Sequence, residues 1–225
     1  MLTFVTWLWG DKYTPEHVNR LCRAIDRNLS LPHRHVCLSD STAGIYAGIE
    51  VRPLPHVSTK KHVQRLWIFS KQASAIGERL VQVDIDVVVT GALDPLFDRP
   101  EPLVIWKSDS GGAIGYALNP TLLMVIAGAR ADLWEYYRRD PARALAMARA
   151  GGCKGSDQAI ITNFLRDEQT PVWTEVDGVL SYRRHFQGRA DKSLPEGTRF
   201  VSFHGYRDPA VPPFNDLPWV KEHWR

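Results

Sequence analysis

Apolar residues recur along the chain with two different periods, and the switches between them outline an alternating α/β order. Leu2 to Trp9 is rich in β-formers and predicts a first strand. Thr14-Pro15 then offers an N-cap followed by proline at the first helical position. Val18, Leu21, Cys22, Ile25 and Leu29 follow at helical spacing, predicting an amphipathic helix that Leu31-Pro32 stops. His35 to Leu38 predicts a second strand, and Gly44 to Arg52 includes a short third one closed by Pro53 and Pro55. A β-α-β opening of this kind predicts an α/β fold with a central, mostly parallel sheet.

Lys61 to Ala75 predicts a helix ended by Gly77, with Val63, Leu66, Trp67 and Ser70 on one stripe and Arg65 beside it. Leu80 to Val89 is the most strand-like segment. Side chains alternate in a strand, so Val81, Val83, Ile85, Val87 and Val89 are expected on one face, and Leu80, Gln82, Asp84, Asp86 and Val88 on the other. Leu93 to Phe97 predicts a helical turn. Leu103 to Trp106 and Ile114 to Leu118 predict strands around a polar loop, Ser108 to Gly112. Helices are expected over Ala131 to Arg138, from Asp140-Pro141 through Ala150, and last from Ser156, with Ile160, Ile161, Phe164 and Leu165 as its stripe. The tail beyond Pro171 is mixed, and its clearest strand is Arg199 to Phe203, ending in His204-Gly205. No repeat or linker divides the chain, so residues 1–225 are expected to form a single domain.

Composition narrows this picture without redirecting it. With 44% hydrophobic and 24% charged residues, the chain can build a full core. No apolar run approaches the roughly 20 residues of a membrane helix, and the apolar start reads as a core strand rather than a signal peptide. Cys22, Cys37 and Cys153 are too few and too scattered for a disulfide framework, which implies a reducing, cytoplasmic setting. A net charge of +3, with both signs mixed, argues against a nucleic-acid partner. Arg183-Arg184, the nearest basic cluster, fits a solvated surface better. Of the eight Trp, five (Trp7, Trp9, Trp67, Trp106 and Trp134) lie in apolar periodic segments and fit core packing. An indole face also suits a hexose, and composition leaves both accounts open.

The sharpest chemical feature is Asp84-Ile85-Asp86. Two carboxylates at i and i+2 of an extended chain project to one side, and like charges this close are costly to bury together. A divalent cation removes the conflict, and Mg²⁺ commonly shares its coordination between carboxylates and substrate phosphates. Ligands of open α/β sheets also bind near the carboxyl ends of such strands. The plain alternative is that both aspartates solvate or cap part of a strand.

The run Leu80 to Val89, followed by Leu93-Asp94-Pro95-Leu96-Phe97, resembles the DxD strand and following turn of glycogenin-like glycosyltransferases, and more closely their small bacterial relatives with a GT-A fold. Val5-Thr6 to Tyr13 resembles the family's nucleotide-binding first strand and loop, and Pro32 to Asp40 its second-strand motif. Arg65-Leu66-Trp67, Asn119 to Met124, Asp157-Gln158 and Phe203-His204-Gly205 are similar to further family motifs, in the same order.

The resemblance implies a metal-dependent transferase acting on a nucleotide-sugar donor, a UDP-hexose, with retention. Asp84, Asp86 and His204 would hold Mn²⁺ or Mg²⁺, and the imidazole favours Mn²⁺. Thr6, Tyr13, Arg65, Asn119 and Arg207 would border the donor, with Asp84 reaching it through the metal; Asp157 and Gln158 would bond the sugar. The acceptor is left open among a glycan, a lipid-linked and a small-molecule species. Plain readings stand beside these: a turn residue for His204, a helix N-terminus for Asp157, packing for Tyr13, a helix surface for Arg65. The sequence also departs from the family. Tyr206-Arg207-Asp208-Pro209 stands where a Lys-Pro pair is usual, Ala117-Leu118 precedes Asn119 in place of Tyr-Asn, and Pro120 replaces a small polar residue. Two alternatives follow: a haloacid-dehalogenase-like phosphatase using Asp84 as nucleophile and Asp86 as acid/base, or a non-catalytic nucleotide-sugar-binding protein.

Overall fold

The structure, a computed structural model, describes residues 1–55, 62–109 and 112–225. β1 (Leu2–Leu8), β2 (His33–Ser39), β3 (Glu50–Arg52), β4 (Arg79–Val83), β6 (Leu103–Ser108), β7 (Ala117–Ile126) and β8 (Val172–Trp173) build a seven-stranded sheet in the order β3-β2-β1-β4-β7-β6-β8. Only β7 runs against its neighbours β4 and β6; the other pairings are parallel. A second sheet joins β5 (Val87–Val89), β10 (Phe200–Ser202) and β9 (Val179–Ser181) in the order β5-β10-β9.

α1 (Pro15–Asn28) covers one face of the large sheet. Its Val18, Leu21, Cys22 and Ile25 pack against Phe4, Val81 and Val83, beside Phe97 from α2 (Asp94–Phe97). α3 (Ala131–Arg139), α4 (Pro141–Ala150) and α5 (Asp157–Leu165) cover the other face, where Leu133, Ala144, Ile160 and Ile161 meet Val5, Leu80 and Leu123. α6 (Tyr182–His185) and α7 (Pro218–His223) lie in the tail and enclose a third, aromatic core of Tyr182, Phe186, Phe203, Phe214 and Trp219. The helix opened by Ser156 is therefore not the last. Trp7, Trp106 and Trp134 are buried, and Trp9 and Trp67 pack partly buried against the second core.

Three expectations change. The helix expected from Lys61, which itself lies outside the described residues, is a pair of 3-10 segments, Val63–Phe69 and Lys71–Ile76, separated at an extended Ser70. A 3-10 turn stacks residues i and i+3, and Val63, Leu66 and Phe69 are all buried at that spacing. The core decides the winding there. The single strand expected over Leu80–Val89 is broken: β4 ends at Val83, β5 begins at Val87, and the halves join different sheets. The alternation survives the break, because Val81, Val83, Ile85, Val87 and Val89 all enter one core. Finally, Ile114 lies in a 3-10 turn, and the strand expected to end at Leu118 runs on to Ile126 through Pro120. The register with β6 shifts between Ile105 and Trp106, so Asn119 pairs with Trp106 and Leu123 with Ile105. Pro120 falls in that bulge, where no ladder hydrogen bond is needed from its nitrogen. Its carbonyl accepts instead from Gln82 Nε2 at 2.8 Å.

Candidate active site

Because β1, β4 and β6 are parallel, their carboxyl ends lie along one edge of the sheet, and the start of the antiparallel β7 joins them. Asp84 leaves β4 at this edge. Its N–H donates to the carbonyl of Thr121 at 3.0 Å, while the Asp86 carbonyl accepts from the N–H of Phe203 at 2.9 Å. The acidic segment thus bridges the two sheets. Its backbone is satisfied from both sides, which holds both carboxylates in place.

Asp84 receives the Thr121 hydroxyl on Oδ2 at 2.7 Å and the Arg65 guanidinium on Oδ1. Arg65 also grips Asp157 Oδ2, through Nε at 2.8 Å and Nη2 at 2.6 Å. In the resulting Asp84–Arg65–Asp157 triad, Asp157 is only 4% exposed and Arg65 and Asp84 are partly buried. Burial opposes the charge on Arg65, but Asp157 and Asp84 together hold it more firmly protonated than a free guanidinium. Asp157 opens α5, so the helix dipole favours its negative charge as well.

Asp86 is buried and accepts from the Tyr13 hydroxyl at 2.5 Å; the Lys12 ammonium donates to that same hydroxyl. Burial, and then the charge of Asp84, push the Asp86 carboxyl up to about 7. Burial and Asp86 also raise the Tyr13 phenol far above its ordinary range. His204 stacks on Trp106, with ring centroids 5.7 Å apart and planes 14° from parallel. Burial pushes its imidazole down to about 4, despite the opposing charge of Asp84. At neutral pH His204 is therefore uncharged, and its Nδ1 lies 3.5 Å from the Ser202 hydroxyl.

Beside these groups lies a cavity of about 840 Å³. Trp106, Asn119, Gln158 and His204 line it together with Lys107, Lys154, Glu175, Arg183 and Arg184. The Gln158 Nε2 is buried and has no hydrogen-bond partner. Asn119 Oδ1 accepts from the Thr121 N–H at 3.0 Å.

Two expected residues lie differently. Thr6 is buried within the sheet, its hydroxyl 3.5 Å from the carbonyl of Val36. Arg207 donates to Gln187 Oε1 at 3.0 Å and to the His204 carbonyl at 3.0 Å, and lines a separate cavity of about 380 Å³. Sequence reading missed Thr121 and Lys12. Thr121 stood inside the quoted Asn119 to Met124 run, but only the sheet register brings its hydroxyl to Asp84.

Among the described residues, Asp84, Asp86 and His204 do not bring three ligand atoms within 4.8 Å of one another; Asp26, His33 and His35 do, at the far end of the sheet. Asp84 is turned to Arg65 and Thr121, and Asp86 to Tyr13. The chemistry of the set still fits a divalent cation. Asp86 is forced toward the protonated form by burial beside a second carboxylate, a conflict that a bound cation relieves, and His204 offers a neutral nitrogen.

No family model matches the chain, and no curated protein matches it. Solved structures do resemble it. An active-site mutant of LgtC superposes with a TM-score of 0.63 at 14% identity, covering 99% of this chain and 94% of that one. The galactosyltransferase LgtC in complex with donor and acceptor sugar analogues gives 0.62 at 15% identity, with the same coverage. The glycosyltransferase GlyE of Streptococcus pneumoniae TIGR4 gives 0.60 at 14% identity, covering 98% of this chain and 63% of that one. At such identities the likeness speaks for the fold, and this chain has the GT-A-type α/β architecture of these proteins. Among the described residues no helix is long and apolar enough to cross a membrane.

Proposed function

We propose that residues 1–225 act as one glycosyltransferase domain that moves a hexose from a UDP-sugar to a glycan, lipid-linked or small-molecule acceptor, with retention. The observation that carries this reading is the Asp84/Asp86 pair where two sheets meet, Asp86 buried and Asp84 partly so, next to a cavity lined by His204 and Gln158. The fold shared with sugar-transferring LgtC and GlyE supports it.

Asp84, Asp86 and His204 are the ligands for Mn²⁺ or Mg²⁺, which when bound neutralises the departing nucleoside diphosphate. Arg65 bonds to both Asp84 and Asp157 and holds the two carboxylates in alignment. Tyr13 holds Asp86 and borders the donor from the β1 loop. Gln158 turns an unpaired buried amide toward the sugar's position. LgtC likewise has an active-site glutamine, the one replaced in the mutant structure. Arg207, bonded to Gln187 and to the His204 backbone, supports the loop that carries His204. Three buried free thiols suit a cytoplasmic setting.

The test is thermal unfolding with UDP, GDP and TDP, each with and without Mn²⁺, for the native chain and Asp86→Ala. A ligand at a hundredfold excess over its dissociation constant stabilises the folded state by about 2.7 kcal/mol. UDP should stabilise only with metal, and Asp86→Ala should abolish the effect. Stabilisation by vanadate or beryllofluoride in place of any nucleotide would overturn the reading in favour of a phosphatase. Nucleotide binding without transfer across a panel of UDP-sugars and acceptors would mark a non-catalytic binder.

A further inference from the structure

A second set of ligand-type side chains lies at the opposite end of the central sheet. His33 and His35 are two residues apart on β2, so both imidazoles leave the same face. Asp26, in the last turns of α1, meets them there. Its Oδ1 is 2.7 Å from His35 Nε2 and 3.0 Å from His33 Nε2. The strands here pair Leu2 with His33, so the cluster sits at the amino ends, away from Asp84 and Asp86.

The proton positions follow from the neighbours. His33 Nδ1 lies 2.7 Å from the carbonyl of Leu31, which can only accept, so Nδ1 carries the hydrogen. The other ring nitrogen, Nε2, faces the Asp26 carboxylate. Burial pushes the His35 imidazole down, and its buried Nδ1 has no partner. Burial opposes the charge on Asp26, but hydrogen bonds from His35 and His33 hold its carboxyl below the usual range. Two ring nitrogens and a carboxylate oxygen thus converge, all within 4.8 Å of one another. A cation can take the place of the protons such a cluster shares.

We propose that Asp26, His33 and His35 bind a zinc-type divalent transition metal, with water as the fourth ligand. Two imidazoles and one carboxylate suit Zn²⁺ rather than the oxygen-loving Mg²⁺. Bonds of about 2.0–2.1 Å place neighbouring tetrahedral ligands roughly 3.3–3.5 Å apart. The cluster therefore needs only a slight opening from its present contacts, and the Asp26 side chain, 54% exposed, is free to provide it. Leu31 already plays the outer part, since a metal-bound histidine typically donates its other N–H to a carbonyl or carboxylate. The bound ion clips the end of α1 to the start of β2. The site shares no residue with the aspartate pair and does not depend on the transferase reading.

The experiment titrates Zn²⁺, and Co²⁺ as a coloured probe, into the tag-free full chain and three variants: His33→Gln, Asp26→Asn and the double Asp84→Asn/Asp86→Asn. Calorimetry should show a binding step that is weakened by more than about tenfold in His33→Gln and in Asp26→Asn and is retained in the double variant. Equal affinity in all four proteins, or loss in the double variant alone, overturns the proposal. A measurement on the unaltered chain guards against a variant that folds poorly. The ¹⁵N ring signals of His33 and His35 should shift on adding Zn²⁺, and static signals would refute the site.

Discussion

The two ends of the central sheet both gather carboxylates, but they handle the charge in opposite ways. At the carboxyl end Asp86 and Asp157 are buried and Asp84 is partly so, and a single guanidinium, Arg65, serves Asp84 and Asp157. The third, Asp86, faces a phenol and is pushed up to about 7. At the amino end Asp26 is half exposed, faces two imidazoles, and lies below its usual range. Burial explains the contrast. Removing a carboxylate from water raises its proton affinity unless enough cations and donors replace the solvent. Three carboxylates there meet one guanidinium, an excess of negative charge that a bound cation would relieve. The amino end is rich in nitrogen and open enough to admit a different ion.

The largest break in this comparison should come from Arg65→Met. It leaves Asp157 buried, and Asp84 partly buried, without their cation, and breaking a buried pair typically costs about 3–5 kcal/mol. Urea denaturation should show the loss, and metal-dependent UDP binding should vanish with it. A cost below about 1 kcal/mol would mean that the triad is solvated after all.

Asp86→Asn should act in the other direction. The folded-state value of Asp86 lies above that of an unfolded aspartate, so between about pH 4 and 7 the folded chain keeps a proton that the unfolded chain has lost. The native chain should therefore lose stability relative to Asp86→Asn as pH rises through that window, in metal-free buffer. Below about pH 4 both states hold the proton and the difference should disappear. Parallel pH profiles for the two proteins would contradict the burial argument. The same variant should forfeit the stabilisation of about 2.7 kcal/mol that UDP and Mn²⁺ give at a hundredfold excess.

The smallest effects belong to the amino end and to Gln158. Asp26→Asn, at a half-exposed carboxylate hydrogen-bonded to two imidazoles, should cost only about 0.5–1.5 kcal/mol without metal. Gln158→Met removes a buried amide whose nitrogen is unpaired, so stability should stay within about 0.5 kcal/mol. Transfer should still fall, read as kcat from UDP release. A loss of stability with intact transfer would make Gln158 a structural residue only.

Much of the fold was legible along the chain because side-chain direction is a local property. The valine and isoleucine alternation from Val81 to Val89 placed one face in a single core even though the strand itself breaks. Thr14-Pro15 opens α1 and Asp140-Pro141 opens α4 as their cap chemistry requires. The order of the motifs pointed to the GT-A architecture that the solved structures share. Asp84, Arg65 and Asp157 do meet, although only Asp84 offered a physical reason from spacing alone.

What tertiary structure alone decided is the company each residue keeps. Nothing in Leu80 to Val89 says that its two halves pair with different sheets; β7 and β10 settle that from elsewhere in the chain. Thr121 reaches Asp84 across 37 positions, and a register shift around Pro120 aims it there. Arg207, close in sequence to His204, turns its guanidinium to Gln187. The clustering of Asp26 with His33 and His35 likewise required α1 to pack across β2. Periodicity reports which way a side chain points relative to its own backbone, whereas hydrogen-bond partners and buried charge pairs depend on which distant segments the core brings together.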